Sequence, residues 1–168
     1  LGGQATVSGF AEVNATARGS DLAPSTASGG GGATGGVAIV FSNGVGSTVN
    51  LNSGVVANAS ATGGDGNAAV AGSTVTGGAA TVNTQTVGST ISITGNADLL
   101  ATATTGINAG GTGSNATGGI ARLGSTQGTL TVNGNVAANS TATGGQGTNG
   151  GAGRGGFAGV FADQGSTS

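Results

Sequence analysis

Five carboxylates (Glu12, Asp21, Asp65, Asp98 and Asp163) and three guanidiniums (Arg18, Arg122 and Arg154) are the only ionisable side chains in this 168-residue sequence, which has no His, Cys, Tyr or Lys. Acid–base catalysis needs two ionisable groups held close together with suitable pKa values. The five acids do not share a phase of the chain's internal repeat. Only Asp21 and Asp65 fall in similar surroundings, and they are a full repeat apart. Solvated turn carboxylates account for all five. β-Solenoid enzymes acting on polysaccharides set carboxylates beside Lys or Arg and hold sugars on Trp or Tyr; Lys and both of those rings are missing here. No catalytic residue is expected, and the chain reads as a non-enzyme.

Other chemistries fare no better. Gly63-Gly64-Asp65-Gly66-Asn67 and Gly144-Gly145-Gln146-Gly147-Thr148-Asn149 approach the Gly-Gly-x-Gly-x-Asp calcium turn. That turn works in tandem, where stacked copies pool several carboxylate oxygens. Here one copy has its Asp two places early and the other has Asn at the charged position, so neither a metal nor another cofactor is expected. A net charge of −2 with three scattered arginines gives no basic face for phosphates. Four phenylalanines are the only aromatic residues, too few to stack bases, so no nucleic-acid partner is expected. Four Asn-x-Ser/Thr sequons begin at Asn14, Asn58, Asn115 and Asn139; three occupy one strand block and mark an exposed asparagine row more than glycosylation. Threonine pairs at Thr84/Thr86, Thr102/Thr104, Thr129/Thr131 and Thr141/Thr143 raise ice binding, but they fall at different phases of the repeat.

What must position these side chains is a repeat of about 40 residues. A β-branched run recurs as Thr6-Val7-Ser8, Thr48-Val49-Asn50-Leu51, Thr90-Ile91-Ser92-Ile93 and Thr129-Leu130-Thr131-Val132, its first threonines 42, 42 and 39 residues apart. A Gly-Gly-x-Ala landmark starts at Gly35, Gly77, Gly118 and Gly155, spaced by 42, 41 and 37. Two landmarks drifting together give four repeats, at approximately 5–46, 47–88, 89–127 and 128–165, in a single solenoid domain. The 40 glycines exclude collagen, because they keep no three-residue period and Pro24 is the only proline. Val, Leu, Ile and Phe together number only 31. That supply is thin for a conventional globule, but a narrow solenoid needs little core because its backbone bonds from coil to coil. Low charge and abundant Val and Thr argue against disorder.

Alternation within a repeat sets the faces. Val49 and Leu51 point one way, and Thr48 and Asn50 the other. Val55, Ala57, Ala59 and Ala61 form one apolar row; Ala80, Val82 and Thr84 another; Leu99, Ala101 and Ala103 a third. Val136, Ala138, Ser140 and Ala142 make a fourth. After the glycine doublets the rows read Val37, Ile39, Phe41 and Phe157, Gly159, Phe161, with Ile120 and Arg122 or Ala121 and Leu123 as alternatives. About four short strands per repeat, broken by glycine turns, predict an all-β parallel β-helix. A coil of about 20 residues would give two coils per repeat and eight coils in all, a rod on the order of 40 Å at ~4.8 Å per coil.

The strings Ala61-Thr62-Gly63-Gly64-Asp65-Gly66-Asn67, Ala116-Thr117-Gly118-Gly119-Ile120-Ala121 and Thr129-Leu130-Thr131-Val132-Asn133-Gly134-Asn135-Val136 resemble the repeats of filamentous-haemagglutinin-like and autotransporter-passenger β-strand-repeat surface proteins of Gram-negative bacteria. The glycine-rich segments also resemble, more faintly, mycobacterial glycine-rich surface proteins. The main resemblance implies a secreted, right-handed β-helix with adhesive or matrix roles. The expected function is therefore an extracellular structural rod or filament for adhesion or biofilm scaffolding. A module recognising glycans or ice through a Thr/Asn-rich face is the alternative. With no basic and apolar leader and no apolar run of membrane-span length, membrane insertion is not expected, and the chain reads as a mature or excised segment. Gly165-Ser166-Thr167 repeats the phase of Gly46-Ser47-Thr48, and neither end carries a cap. The chain is thus either cut from a longer array or a protomer that self-associates through open coil ends, with a host or matrix surface as a further partner.

Overall fold

The computed structural model describes residues 2–21, 29–67 and 72–163, all of them strand, turn or extended segment with no helix among them. The chain winds through four coils. The first holds β1 (Gln4–Val7), β2 (Ala11–Asn14), β3 (Ala17–Arg18), β4 (Ala33–Thr34) and β5 (Val37–Ser42). The second holds β6 (Thr48–Leu51), β7 (Gly54–Asn58), β8 (Ala61–Thr62), β9 (Val75–Thr76) and β10 (Ala79–Thr84). The third runs through β11 (Thr90–Ile93), β12 (Asn96–Leu100), β13 (Ala103–Thr104), β14 (Asn108–Thr112), β15 (Ala116–Thr117) and β16 (Ile120–Ser125). The fourth runs through β17 (Thr129–Val132), β18 (Val136–Asn139), β19 (Ala142–Thr143), β20 (Gly147–Asn149), β21 (Gly153–Arg154) and β22 (Phe157–Ala162).

Each strand pairs in parallel with its counterpart one repeat away, which builds five four-stranded sheets and one two-stranded sheet. β6, for example, lies between β1 and β11, and β10 between β5 and β16. The architecture is the expected parallel β-helix, with one correction. Register neighbours such as Thr48 and Thr90 are a whole repeat apart, so a repeat is one coil rather than two. Four coils at ~4.8 Å give a body of about 19 Å along its axis instead of 40 Å.

The second glycine doublet explains the difference. The coil is a flattened loop whose two limbs touch midway. There the backbone N–H of Gly78 donates to the carbonyl of Ala59 at 2.7 Å, as do Gly36 to Ala15, Gly119 to Ala101 and Gly156 to Ser140. A Cβ at Gly77 would overlap the Ala101 carbonyl oxygen of the next coil, so no residue with a side chain fits this pinch. A glycine break that resembles a coil end is therefore a waist. It divides the interior into a larger core around Ile91, Ile93, Leu99, Val55 and Val82, and a smaller one of Ala61, Val75, Ala103 and Ala116.

The waist also corrects two side-chain assignments. The first inward residue beyond it must be small, and the register column there is Ala38, Ala80, Ala121 and Ala158. The inward row of β5 is consequently Ala38, Val40 and Ser42, while Val37, Ile39 and Phe41 are exposed on the outer face. The same shift makes Ala121 and Leu123 inward in β16, and turns Phe157 outward in β22. In the first repeat, Gln4 rather than Thr6 lies beside Thr48. A two-residue slip preserves inside–outside alternation, so alternation alone could not detect it. The rows Val55/Ala57/Ala59/Ala61, Ala80/Val82/Thr84 and Leu99/Ala101/Ala103 are buried as read.

Candidate interaction surfaces

Many polar side chains of the described residues bond from coil to coil, while others close local turns. Asp21 and Asp65 lie on adjacent coils, not two coils apart. The Asp21 carboxylate accepts the backbone N–H of Asp65 at 3.0 Å, and the Asp65 carboxylate accepts that of Ile107 at 2.7 Å. The Asp65 N–H, and behind it the Arg18 guanidinium 2.7 Å away, hold the Asp21 carboxyl below the usual carboxylate range. These two carboxylates thus act as staples between turns. Gly63–Asn67 is tied likewise, Gly66 bridging to Asn108, and Gly147–Asn149 forms β20 beside β14. Among the described residues no group of three acidic, His or Cys side chains converges as a metal site would require.

The remaining ionisable groups are dispersed. Glu12 accepts the Asn14 side-chain amide, and Arg122 lies flat over the Phe161 ring, 3.6 Å from its centroid. Asp98 is half-buried on β12, while Arg154 and Asp163 are exposed around the last return limb.

The asparagines form the anticipated row, with one interruption. Asn14, Asn58, Leu100 and Asn139 make one register column. Asn58 and Asn139 each accept the backbone N–H two residues on at 3.1 Å, an Asx turn that starts the corner into the next strand. Asn115 is elsewhere and accepts the N–H of Ala152 in the next coil.

Threonines align better than their spacing suggested. Because Ala61, Ala103 and Ala142 share a register position, Thr62, Thr104 and Thr143 stack in one exposed column that begins at Arg18. One step back along the same limb, the Thr102 hydroxyl donates to Ser60 at 3.0 Å. Thr102/Thr104 therefore lies directly beside Thr141/Thr143, while coil two offers Ser60/Thr62 and coil one Thr16/Arg18. Thr129/Thr131 continues a different outer ladder with Thr90/Ser92 and Thr48/Asn50. Thr84 belongs to no outer face: it is buried and donates to Ser125 at 2.8 Å.

Two apolar surfaces stand out, of which the sequence reading anticipated only the open coil ends. One is the outer face of the β5–β10–β16–β22 sheet, where Val37, Ala79, Ile120 and Phe157 stack and three of the four are exposed. Its signal was the residue between each doublet and its alanine. The other is the pair of coil ends. At the C-terminal end Leu130, Val132, Val136 and Val160 surround an open cavity of about 340 Å³, and at the N-terminal end Ala5, Phe41 and Val49 line one of about 330 Å³. Gly165-Ser166-Thr167 lies outside the described residues. Comparison with protein-family models, curated proteins and solved structures returned no match to this chain.

Proposed function

We propose that this chain is a structural element of the bacterial cell exterior, a β-helical rod that serves adhesion or biofilm matrix rather than catalysis. The observation that supports this reading most is where its polar chemistry goes. Thr48 bonds to Thr90, Ser60 to Thr102, Asp21 to Asp65, Asp65 to Ile107 and Asn115 to Ala152, each across one coil step. Side chains used in this way reinforce a stack and leave little to turn over a substrate. Each chain adds about 19 Å along the axis, so a stack of many such coils, in a longer array or of joined copies, is what would span distance. The test is surface labelling and deletion in the source bacterium. Antibody staining of unpermeabilised cells and loss of adherent biomass on deletion are expected; a purely cytosolic signal contradicts the proposal.

The in-register Thr102/Thr104 and Thr141/Thr143 pairs favour one alternative, recognition of glycans or ice by the outgoing limb. Their hydroxyl-bearing residues repeat at ~4.8 Å between coils and about 6.7 Å along the strand. Arg18 and Ser60 break the pattern in the other two coils, which is why scaffolding is the preferred reading. A glycan array with an ice-recrystallisation assay separates the two, since a scaffold gives no signal in either.

A further inference from the structure

We propose that the open face of coil four receives coil one of a second copy, so that copies join head to tail in the register their own coils already use. This rests on the rod reading and names the partner at its ends. The sizes of the inward side chains favour this order of coils. One core column runs Ala11, Val55, Ala97, Val136, and the column two residues along the strand runs Val13, Ala57, Leu99, Ala138. Small alternates with large from coil to coil, and the two columns alternate in opposite phase. Each coil therefore contributes one large and one small residue, interlocked with its neighbours as dense packing requires. Coil four ends on large Val136 and small Ala138. The surface that continues the pattern offers Ala over Val136 and a large residue over Ala138, and coil one offers Ala11 and Val13.

Two further columns are uniform in size rather than alternating, and coil one continues them without a mismatch. Leu123 and Val160 would be followed by Val40, and Ala121 and Ala158 by Ala38. The waist adds a steric signature. A Cβ at Gly35, Gly77 or Gly118 would overlap a carbonyl oxygen of the following coil, whereas one at Gly155 would have its nearest neighbour at 3.8 Å. A glycine that its own chain does not require is what a fifth coil would need. Translation along the axis keeps all strands parallel and repeats the existing hydrogen-bond pattern. A two-fold joint would set the strands of the two copies antiparallel and abandon that hydrogen-bond pattern.

Two end-blocked variants test the joint by sedimentation velocity and negative-stain microscopy. Val160→Glu places a charge in the open tail and Val7→Glu in the open head; both residues are exposed in the free chain. Wild type should form rods that lengthen with concentration and repeat every ~19 Å along the axis. Each variant alone should remain monomeric, and an equimolar mixture should give dimers, because one free head and one free tail remain. Gly155→Ala should match the wild-type melting temperature at a dilution where both are monomeric, yet weaken assembly by about tenfold or more through overpacking at the joint. A monomeric wild type with an intact β-sheet circular dichroism spectrum overturns the joint and leaves the rod reading standing. Dimers from either variant alone replace it with a two-fold contact. A coil-like spectrum sinks the rod reading and the joint together.

Discussion

Coils two and three carry nearly the same residue pattern as coils one and four, yet their interiors differ sharply. Leu123 in coil three is 3% exposed, while Val160, its register partner in coil four, is 64% exposed. Ile93 is fully buried, and Val132 beside it is only half-buried. A coil this thin does not bury its own side chains; the coils above and below do. Stability in such a fold is a property of neighbours, as the additive description of solenoids requires.

Inner and outer coils differ most at the waist. Gly77→Ala forces a methyl against the backbone of coil three and should cost more than about 4 kcal/mol, enough to abolish a cooperative melt. The equivalent Gly155→Ala meets only the Ser140 carbonyl oxygen, at an ordinary 3.8 Å, and should change stability by no more than about 0.5 kcal/mol in the free chain. Similar effects at both positions, measured by chemical denaturation, would show that the waist is not where the limbs meet.

Core truncation follows in size. Leu123→Ala should destabilise by about 3 kcal/mol, and Val160→Ala by less than about 0.5 kcal/mol because its side chain stays largely hydrated. Hydrogen exchange should show the same gradient, with amides of β7, β10, β11 and β12 slowest and those of β1 and β17 near free exchange.

The corners between coils come next. Gly46 and Gly88 take φ of +70° and +74°, and the hydroxyl after each closes its turn: Ser47 donates to Gly44 at 2.8 Å and Ser89 to Thr86 at 2.6 Å. Ser89 is buried, so Ser89→Ala should cost about 1 kcal/mol, whereas exposed Ser53→Ala should be neutral. The smallest effect is electrostatic. The Asp21 carboxyl is held low by the Asp65 N–H and Arg18, so its contribution is present above the ordinary carboxylate range and lost as pH falls through its depressed pKa. Because the group is exposed, Asp21→Asn should have only a slight effect, visible as faster exchange of the Asp65 amide near neutral pH, a difference that disappears as pH falls through the depressed Asp21 pKa.

Much of this was legible in the sequence. Two drifting landmarks gave the repeat, and alternation gave the Val55–Ala61 and Leu99–Ala103 rows. The rest depended on information that alternation does not carry. A period of two is blind to the slip that set Gln4 rather than Thr6 beside Thr48. It is equally blind to a doublet that joins two limbs instead of ending a coil. Val37, Ile39 and Phe41 are larger than Ala38 and Ser42, so hydrophobicity alone favoured the wrong face; the first inward position beyond the waist, which takes only a methyl, decided it. The stacked threonines were hidden because their alignment follows Ala61, Ala103 and Ala142, not their own spacing.

One coil per repeat is the claim on which everything else depends, and the chain's lack of cysteine allows a clean test. Thr62 and Thr104 are exposed register partners on adjacent coils, so their Cα atoms should be ~4.8 Å apart, within the range a disulfide spans. In the doubly mutated Thr62→Cys/Thr104→Cys chain, mild oxidation should close an intramolecular bond rapidly and quantitatively at high dilution. Two coils per repeat would put those atoms about 9.6 Å apart, beyond the ~7 Å limit, and leave both thiols free.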